Sequence, residues 1–200
     1  PPSTLIRPMS KKLKNSLIEV GAQNCHENEN FGAFTGYINS NMLRDVGAKY
    51  VIIGHSENRY LGETNKLINL KIKSALKSGL KVIFCIGETL KEKRKKNTKQ
   101  VLSNQIKKGL SRIKNKNRII VAYEPVWSIG TGLIPTSKEL FETINFIKRK
   151  IKNYKVLYGG SVNPKNIVLL KSINNIDGFL VGGASQDSKK FIDIIKKTYN

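Results

Sequence analysis

The chain has 200 residues, 39% of them hydrophobic and 16 of them Gly, which is enough for one sizeable core. No apolar run approaches the roughly 20 residues of a membrane span, so no membrane partner is expected. Its 36 Lys and Arg stand against 14 Asp and Glu, a formal net charge of +22, and that raises nucleic acid as a partner. The lysines are spread over every helical segment, however, and the densest run, "KEKRKKNTK" at 91–99, has no aromatics interleaved for base stacking. It reads as a solvated face, and no nucleic-acid partner is expected. Cys25 and Cys85 form neither a CxxC motif nor a His/Cys cluster with ligand spacing. No metal or other cofactor is therefore expected, and the setting is read as reducing and cytoplasmic.

The chain opens on "PPSTLIRPMS" with its first Met at Met9, so it reads as a protein entered after its beginning. Short β-branched runs then alternate with segments of helical period. The runs are "LIEVGAQN" (17–24), "KYVIIGH" (49–55), "KVIFCIG" (81–87), "RIIVAYE" (118–124), "YKVLYGG" (154–160) and "DGFLVGG" (177–183). Most are almost continuously apolar, as strands buried on both faces of a parallel sheet should be. Helices are predicted over 63–78, 99–113, 137–152 and 187–198. The first should bury Leu67, Leu70, Ala75 and Leu76, and the third Leu140, Phe141, Ile144, Ile147 and Ile151.

Such alternation means parallel βαβ units, in an open doubly wound sheet or a closed (β/α)8 barrel. The chemistry-bearing residues sit at the C-terminal ends of several runs: Gln23–Asn24, His55, Gly87–Glu88, Glu124, Gly159–Ser161 and Gly182–Gly183. An open sheet draws on one switch point, whereas a barrel draws on strand ends around a ring. The barrel is the better reading. Six full strands are visible, so residues 1–200 are expected to be a single α/β barrel domain, N-terminally incomplete.

Glu124 ends an apolar strand and is followed at once by Pro125, the chain's only Trp, and two glycines around Thr131. This is the pattern of a carboxylate general base beside a lid that expels water. A strand-terminal Glu paired with a lysine is the plainer reading. His55 is either structural or a neutral electrophile that polarises a carbonyl. "LYGGSVNP" (157–164) and "LVGGASQ" (180–186) are Gly-rich turns after the last two strands, where barrels often hold phosphate. Together these parts suit proton abstraction beside the carbonyl of a small phosphorylated sugar, through an enediolate.

The stretches "GAFTG" (32–36), "MLRDVGAKYVIIGHSENR" (42–59), "VIFCIGETL" (82–90), "AYEPVWSIGTG" (122–132), "LYGGSVNP" (157–164) and "GFLVGGAS" (178–185) resemble the triosephosphate isomerase family, in order and spacing, over essentially the whole chain. The resemblance implies a TIM barrel that interconverts dihydroxyacetone phosphate and glyceraldehyde 3-phosphate in glycolysis and gluconeogenesis, without a cofactor. By that resemblance Glu124 shuttles the proton, His55 polarises the carbonyl, and Glu57 belongs to the supporting network. The lid is Pro125, Val126, Trp127, Ser128, Ile129, Gly130, Thr131 and Gly132. Gly130, Ser161, Gly182 and Gly183 grip the phosphate. A homodimer is implied, with the 25–36 loop, including Phe34 and Thr35, as the arm reaching its partner.

Departures from the family pattern are also visible. Its Asn-x-Lys first-strand motif has no match, and "PPSTLI" resembles the end of its second strand. Asn58 stands before Arg59 where two Arg are usual, and Leu133 follows the lid where Lys is common. The expectation is an isomerase whose 200 residues taken alone are weakly active or inactive. The alternative is a shortened, non-catalytic barrel remnant acting as a basic binding module.

Overall fold

The structure is a computed structural model that describes residues 1–114, 116–152 and 154–199. Its helices are α1 (Ser3–Lys12), α2 (Ser40–Asp45), α3 (Ser56–Tyr60), α4 (Asn65–Lys77), α5 (Leu90–Arg94), α6 (Thr98–Gly109), α7 (Ser137–Ile151), α8 (Ile167–Lys171) and α9 (Ser188–Tyr199). The strands are β1 (Gly21–Ala22), β2 (Tyr50–Ile53), β3 (Lys81–Ile86), β4 (Ile119–Tyr123), β5 (Lys155–Tyr158) and β6 (Gly178–Phe179), and they neighbour one another in chain order. Two compact units are present, Pro1–Cys85 with Gln105–Ile120, and Ile86–Asn104 with Val121–Asn200.

In the first unit β2 pairs in parallel with β1 and β3, with Val51 opposite Ala22 on one side and Val82 on the other. Val51, Ile53, Val82 and Phe84 are fully buried, as the apolar runs predict. Thr64 caps α4 by accepting from the Leu67 N–H, and Gly79 at φ +85 ends it. The buried face of α4 is Ile68, Ile72, Ala75 and Leu76; Leu70 lies outside it, 43% exposed, contrary to the sequence reading. Asn69 accounts for the rotation. Its buried amide donates to the Gly109 and Ser111 carbonyls, at 2.8 and 3.0 Å, satisfying acceptors at the end of α6.

Two expectations for the N-terminal stretch are corrected. "PPSTLI" is not the end of a strand: Ser3–Lys12 is helical, seats Ile6 in the core and ties Ser10 Oγ to the Val46 carbonyl at 2.9 Å. Of the run 17–24, only Gly21–Ala22 is strand, while Leu17 is fully exposed and Ile18 exposed.

In the second unit the Glu124 N–H donates to the Ile86 carbonyl and the Gly159 N–H to the Tyr123 carbonyl, both at 2.8 Å, continuing the sheet. β5 pairs in parallel with β6, Tyr158 opposite Phe179, and only two residues of the run 177–183 are strand. A capping box, Thr136 with Glu139, starts α7. Its Leu140, Ile144, Ile147 and Ile151 are buried as predicted, each worth about 1.5–3 kcal/mol. Phe141 is half outside that stripe.

Candidate active site

Glu124 follows the last residue of β4. Pro125 has no N–H with which to extend the ladder, so the chain leaves the sheet directly after the carboxylate. The residue is 3% exposed, and glycines make room for it. A Cβ on Gly87 would lie 1.8 Å from the Glu124 carbonyl oxygen, and a Cβ on Gly159 would lie 2.7 Å from Glu124 Cγ. A Cβ on Gly160 would meet Tyr158 Oη at 2.1 Å. This revises the sequence reading of the first Gly pair. The Gly159 N–H is engaged within the sheet, and the pair serves close packing rather than an open cradle. Gly182 and Gly183 differ, since both are exposed and no atom lies within 4 Å of a Cβ built on either.

Past Pro125 the lid begins as a single 3-10 turn, Val126–Ser128. Trp127 Nε1 donates to Glu88 Oε1 at 2.9 Å, and the Tyr123 hydroxyl reaches the same carboxylate at 3.2 Å. Lys93 Nζ sits 3.7 Å from the Trp127 ring centroid and 3.4 Å from Glu139. Burial pushes the Glu88 carboxyl above the usual carboxylate range, against the Trp127 and Tyr123 hydrogen bonds that favour its charge. The Tyr123 hydroxyl is pushed well up by burial and then by the Glu88 charge. Sequence reasoning counted Glu88 among the chemistry-bearing strand-end residues but gave it no particular task, although a Glu ending the run "VIFCIGE" is the same signal that singled out Glu124 in "RIIVAYE".

The lid tip carries Gly130 at φ +70 and Gly132 at φ +78, conformations that favour glycine. Thr131 Oγ1 lies 3.2 Å from the Trp127 and Ser128 carbonyls and accepts the Leu133 N–H at 3.2 Å, so its bonds stay inside the lid. Ser161, which the family resemblance assigns to the phosphate, is bonded to the lid in this structure. Its hydroxyl accepts the Gly132 N–H at 3.1 Å and donates to the Ser128 carbonyl. Pro125 is buried, Val126, Trp127 and Ile129 are half-buried, and Gly130 is exposed.

In the first unit His55 follows β2 by two residues and caps α3. Its Nδ1 accepts the Glu57 N–H at 3.4 Å. Glu57 supports His55 through its backbone, while its carboxylate is 83% exposed and 3.7 Å from Nδ1. Arg59 clamps the strand ends beside them, donating to the Gly54 carbonyl (2.7 Å), the Cys85 carbonyl (2.9 Å) and Asn65 Oδ1 (2.8 Å). It does so with Asn58 in the preceding position.

In the 25–36 loop Phe34 and Thr35 are both exposed. Phe34 packs one edge on the His26 ring, centroids 4.5 Å apart, and Tyr37 flanks the same ring at 4.9 Å. His26 is thus held by aromatic stacking. Among the described residues no group of three or more His, Cys, Asp or Glu could hold a metal ion, and no helix is long and apolar enough to cross a membrane.

Glu124 ahead of the lid and the open glycines after β6 in the second unit, and His55 after β2 in the first, each follow the end of a strand, where α/β barrel enzymes carry their chemistry. Comparison with known proteins narrows the class to one family. The family model described as triosephosphate isomerase matches residues 1–198. A triosephosphate isomerase of Thermodesulfovibrio yellowstonii is 44% identical over 200 residues, covering 96% of this chain and 81% of that protein. One of Carboxydothermus hydrogenoformans is 46% identical over 208 residues, covering 98% and 82%. The crystal structure of triosephosphate isomerase from Bartonella henselae superposes with a TM-score of 0.92 at 34% identity, covering 100% of this chain and 85% of that one. The chain belongs to the triosephosphate isomerase family, and its fold is that of the TIM barrel.

Proposed function

We propose that this chain interconverts dihydroxyacetone phosphate and glyceraldehyde 3-phosphate, the isomerisation that serves glycolysis and gluconeogenesis. The observation that carries the mechanism is Glu124, buried, framed by glycines at 87 and 159, and followed immediately by the lid. Its carboxylate takes a proton from the carbon beside the carbonyl, leaving an enediolate, and returns it to the neighbouring carbon. His55 Nε2–H donates to the oxygen on which negative charge develops. Gly182 and Gly183 offer N–H groups to the phosphate, Gly130 supplies one from the lid, and Ser161 completes the grip. Closing the lid expels water and strengthens each of these interactions. A basic binding module would have no use for a carboxylate packed this closely, and that reading is not favoured.

The arm at 25–36 supports a homodimer, since it presents Phe31 and Phe34 to solvent, with Tyr37 exposed just after it. Light scattering on the purified protein decides between dimer and monomer. The setting we propose is cytoplasmic, to be checked by fractionation.

The test of the mechanism is Glu124→Gln, which keeps the shape and removes the base. Turnover of dihydroxyacetone phosphate, followed with a coupled NAD-linked dehydrogenase, should fall about 10²–10⁴-fold with KM changed much less. A wild-type rate in E124Q would refute the role of Glu124.

A further inference from the structure

We infer that a cavity between the 88–99 segment and α7 is an effector site for a small hydroxylated phosphate ester, separate from the strand-end site. The inference rests on the isomerase reading for its effect on turnover, and on geometry alone for the binding. The cavity has a volume of about 320 Å³, at the lower end of the range for small-molecule pockets. All of its lining belongs to the second unit. Glu88 and Tyr123, 1% and 2% exposed, form its deep part, with the half-buried Trp127 beside them.

The polar groups of the deep part are already taken. Glu88 accepts from Trp127 and Tyr123, and Lys93 is engaged by the Trp127 ring and by Glu139. The outer lining is different. Among the described residues no hydrogen bond or ion pair engages the side chains of Lys96, Thr98 and Lys99 on one wall, or of Glu142 on the α7 side. Two ammonium groups and a half-buried hydroxyl suit a phosphate monoester, which carries about −1.5 to −2 charges at neutral pH and three acceptor oxygens. The Glu142 carboxylate then accepts from a hydroxyl on the carbon body of the ester.

The run "KEKRKKNTK", read from the sequence as a solvated face, thus turns two of its lysines to a pocket. Lys96 stands there at φ +58, a conformation that favours glycine. Its N–H donates to the Lys93 carbonyl at 2.9 Å, and the Asn97 N–H to the Glu92 carbonyl at 3.0 Å, closing the end of α5 around it. Trp127 couples the site to the lid. A bound ester fills the space beside the indole and opposes any lid movement that carries Trp127 away from Glu88. Ester binding and lid movement are therefore linked, each weakening the other by the same factor.

The probe is glucose 6-phosphate, with binding read by calorimetry and by fluorescence of Trp127, the chain's only Trp. Wild type should bind it, and the Lys96→Ala/Lys99→Ala double variant should bind roughly a hundredfold more weakly, about tenfold per lysine. Both lysines are exposed, so turnover without the probe should be unchanged in that variant. Lys96→Gly removes the ammonium but suits the backbone; it should unfold at no lower a temperature than wild type and bind about tenfold more weakly. Glu142→Gln should weaken glucose 6-phosphate and leave inorganic phosphate as in wild type. Lys11→Ala/Lys12→Ala, an exposed pair on α1, is the control for the overall charge of +22 and should change nothing. Glycerol 3-phosphate should weaken the probe only to a plateau, and the probe should lower turnover to a plateau that K96A/K99A abolishes. No binding in wild type, or equal weakening by K96A/K99A and K11A/K12A, overturns the site. Competition with glycerol 3-phosphate that never levels off would place the probe in the triose site and overturn it as well. Binding with turnover unchanged overturns the coupling to the lid. Absence of isomerase turnover without the probe would instead sink the functional reading, while the binding measurements still decide the site.

Discussion

Glu88 gives the sharpest stability test, because burial and hydrogen bonding pull its carboxyl in opposite directions. It is 1% exposed and accepts from Trp127 Nε1 at 2.9 Å and the Tyr123 hydroxyl at 3.2 Å. Glu88→Ala strips both donors of their acceptor, at about 1–3 kcal/mol each, partly offset by relief of a buried charge, so a net loss of about 2–4 kcal/mol is expected. For a domain of this size that lowers Tm by roughly 5–10 °C. Glu88→Gln keeps an acceptor for Trp127 and removes the charge, so it should cost no more than about 1 kcal/mol at neutral pH. The pH dependence follows from the direction of the shift. Burial raises the native carboxyl above its unfolded value, so below the ordinary Glu range both states are protonated and no penalty exists. As pH climbs through the window between the unfolded and native values, the unfolded chain releases its proton first, and stability falls. Thermal unfolding by circular dichroism across acid to neutral pH should show this fall in wild type and its loss in E88Q. Equal destabilisation by E88A and E88Q, or a wild-type stability that rises through that window, would refute the balance drawn here.

Two further perturbations test the site's supports. Gly159→Ala places a Cβ 2.7 Å from Glu124 Cγ, and a carboxylate shifted by about 1 Å should lose on the order of 10²-fold in kcat, read by the coupled assay. A Gly159→Ala enzyme with unchanged kcat would mean that Glu124 tolerates displacement. Arg59→Lys cannot bridge the Gly54 and Cys85 carbonyls and Asn65 together, and should destabilise by about 2–3 kcal/mol in chemical unfolding. A loss much below that would show that the exposed ends of the three bonds are already shared with water.

Much of the site was legible in the sequence because strand ends are marked by an abrupt change of chemistry. An apolar run that stops at His55 or Glu124 leaves its last side chain at the rim of a sheet, and the structure places both there. Glu88 carries the same mark but gained no role, since only packing shows that Trp127 and Tyr123 converge on it. The two Gly pairs look alike as strings and behave differently. Gly182 and Gly183 are open, while Gly159 and Gly160 are closed in by Glu124, Tyr158 and Ser128. On α4, an apolar count favoured Leu67 and Leu70, whereas the need to satisfy the carbonyls at the end of α6 through Asn69 turned the helix toward Ile68 and Ile72.

By itself the sequence determined the alternation of strand and helix, the parallel sheet, the family, and which chemistry-bearing residue types follow the strand ends. These depend on local periodicity and on residue types that only a few arrangements can use. Tertiary structure alone decided that "PPSTLI" coils into a helix and that Ser161 and Ser128 bond the lid to the turn after β5. Each of those outcomes depends on which distant groups are left needing a hydrogen-bond partner once the core has closed, and that is set by packing among residues far apart in the chain.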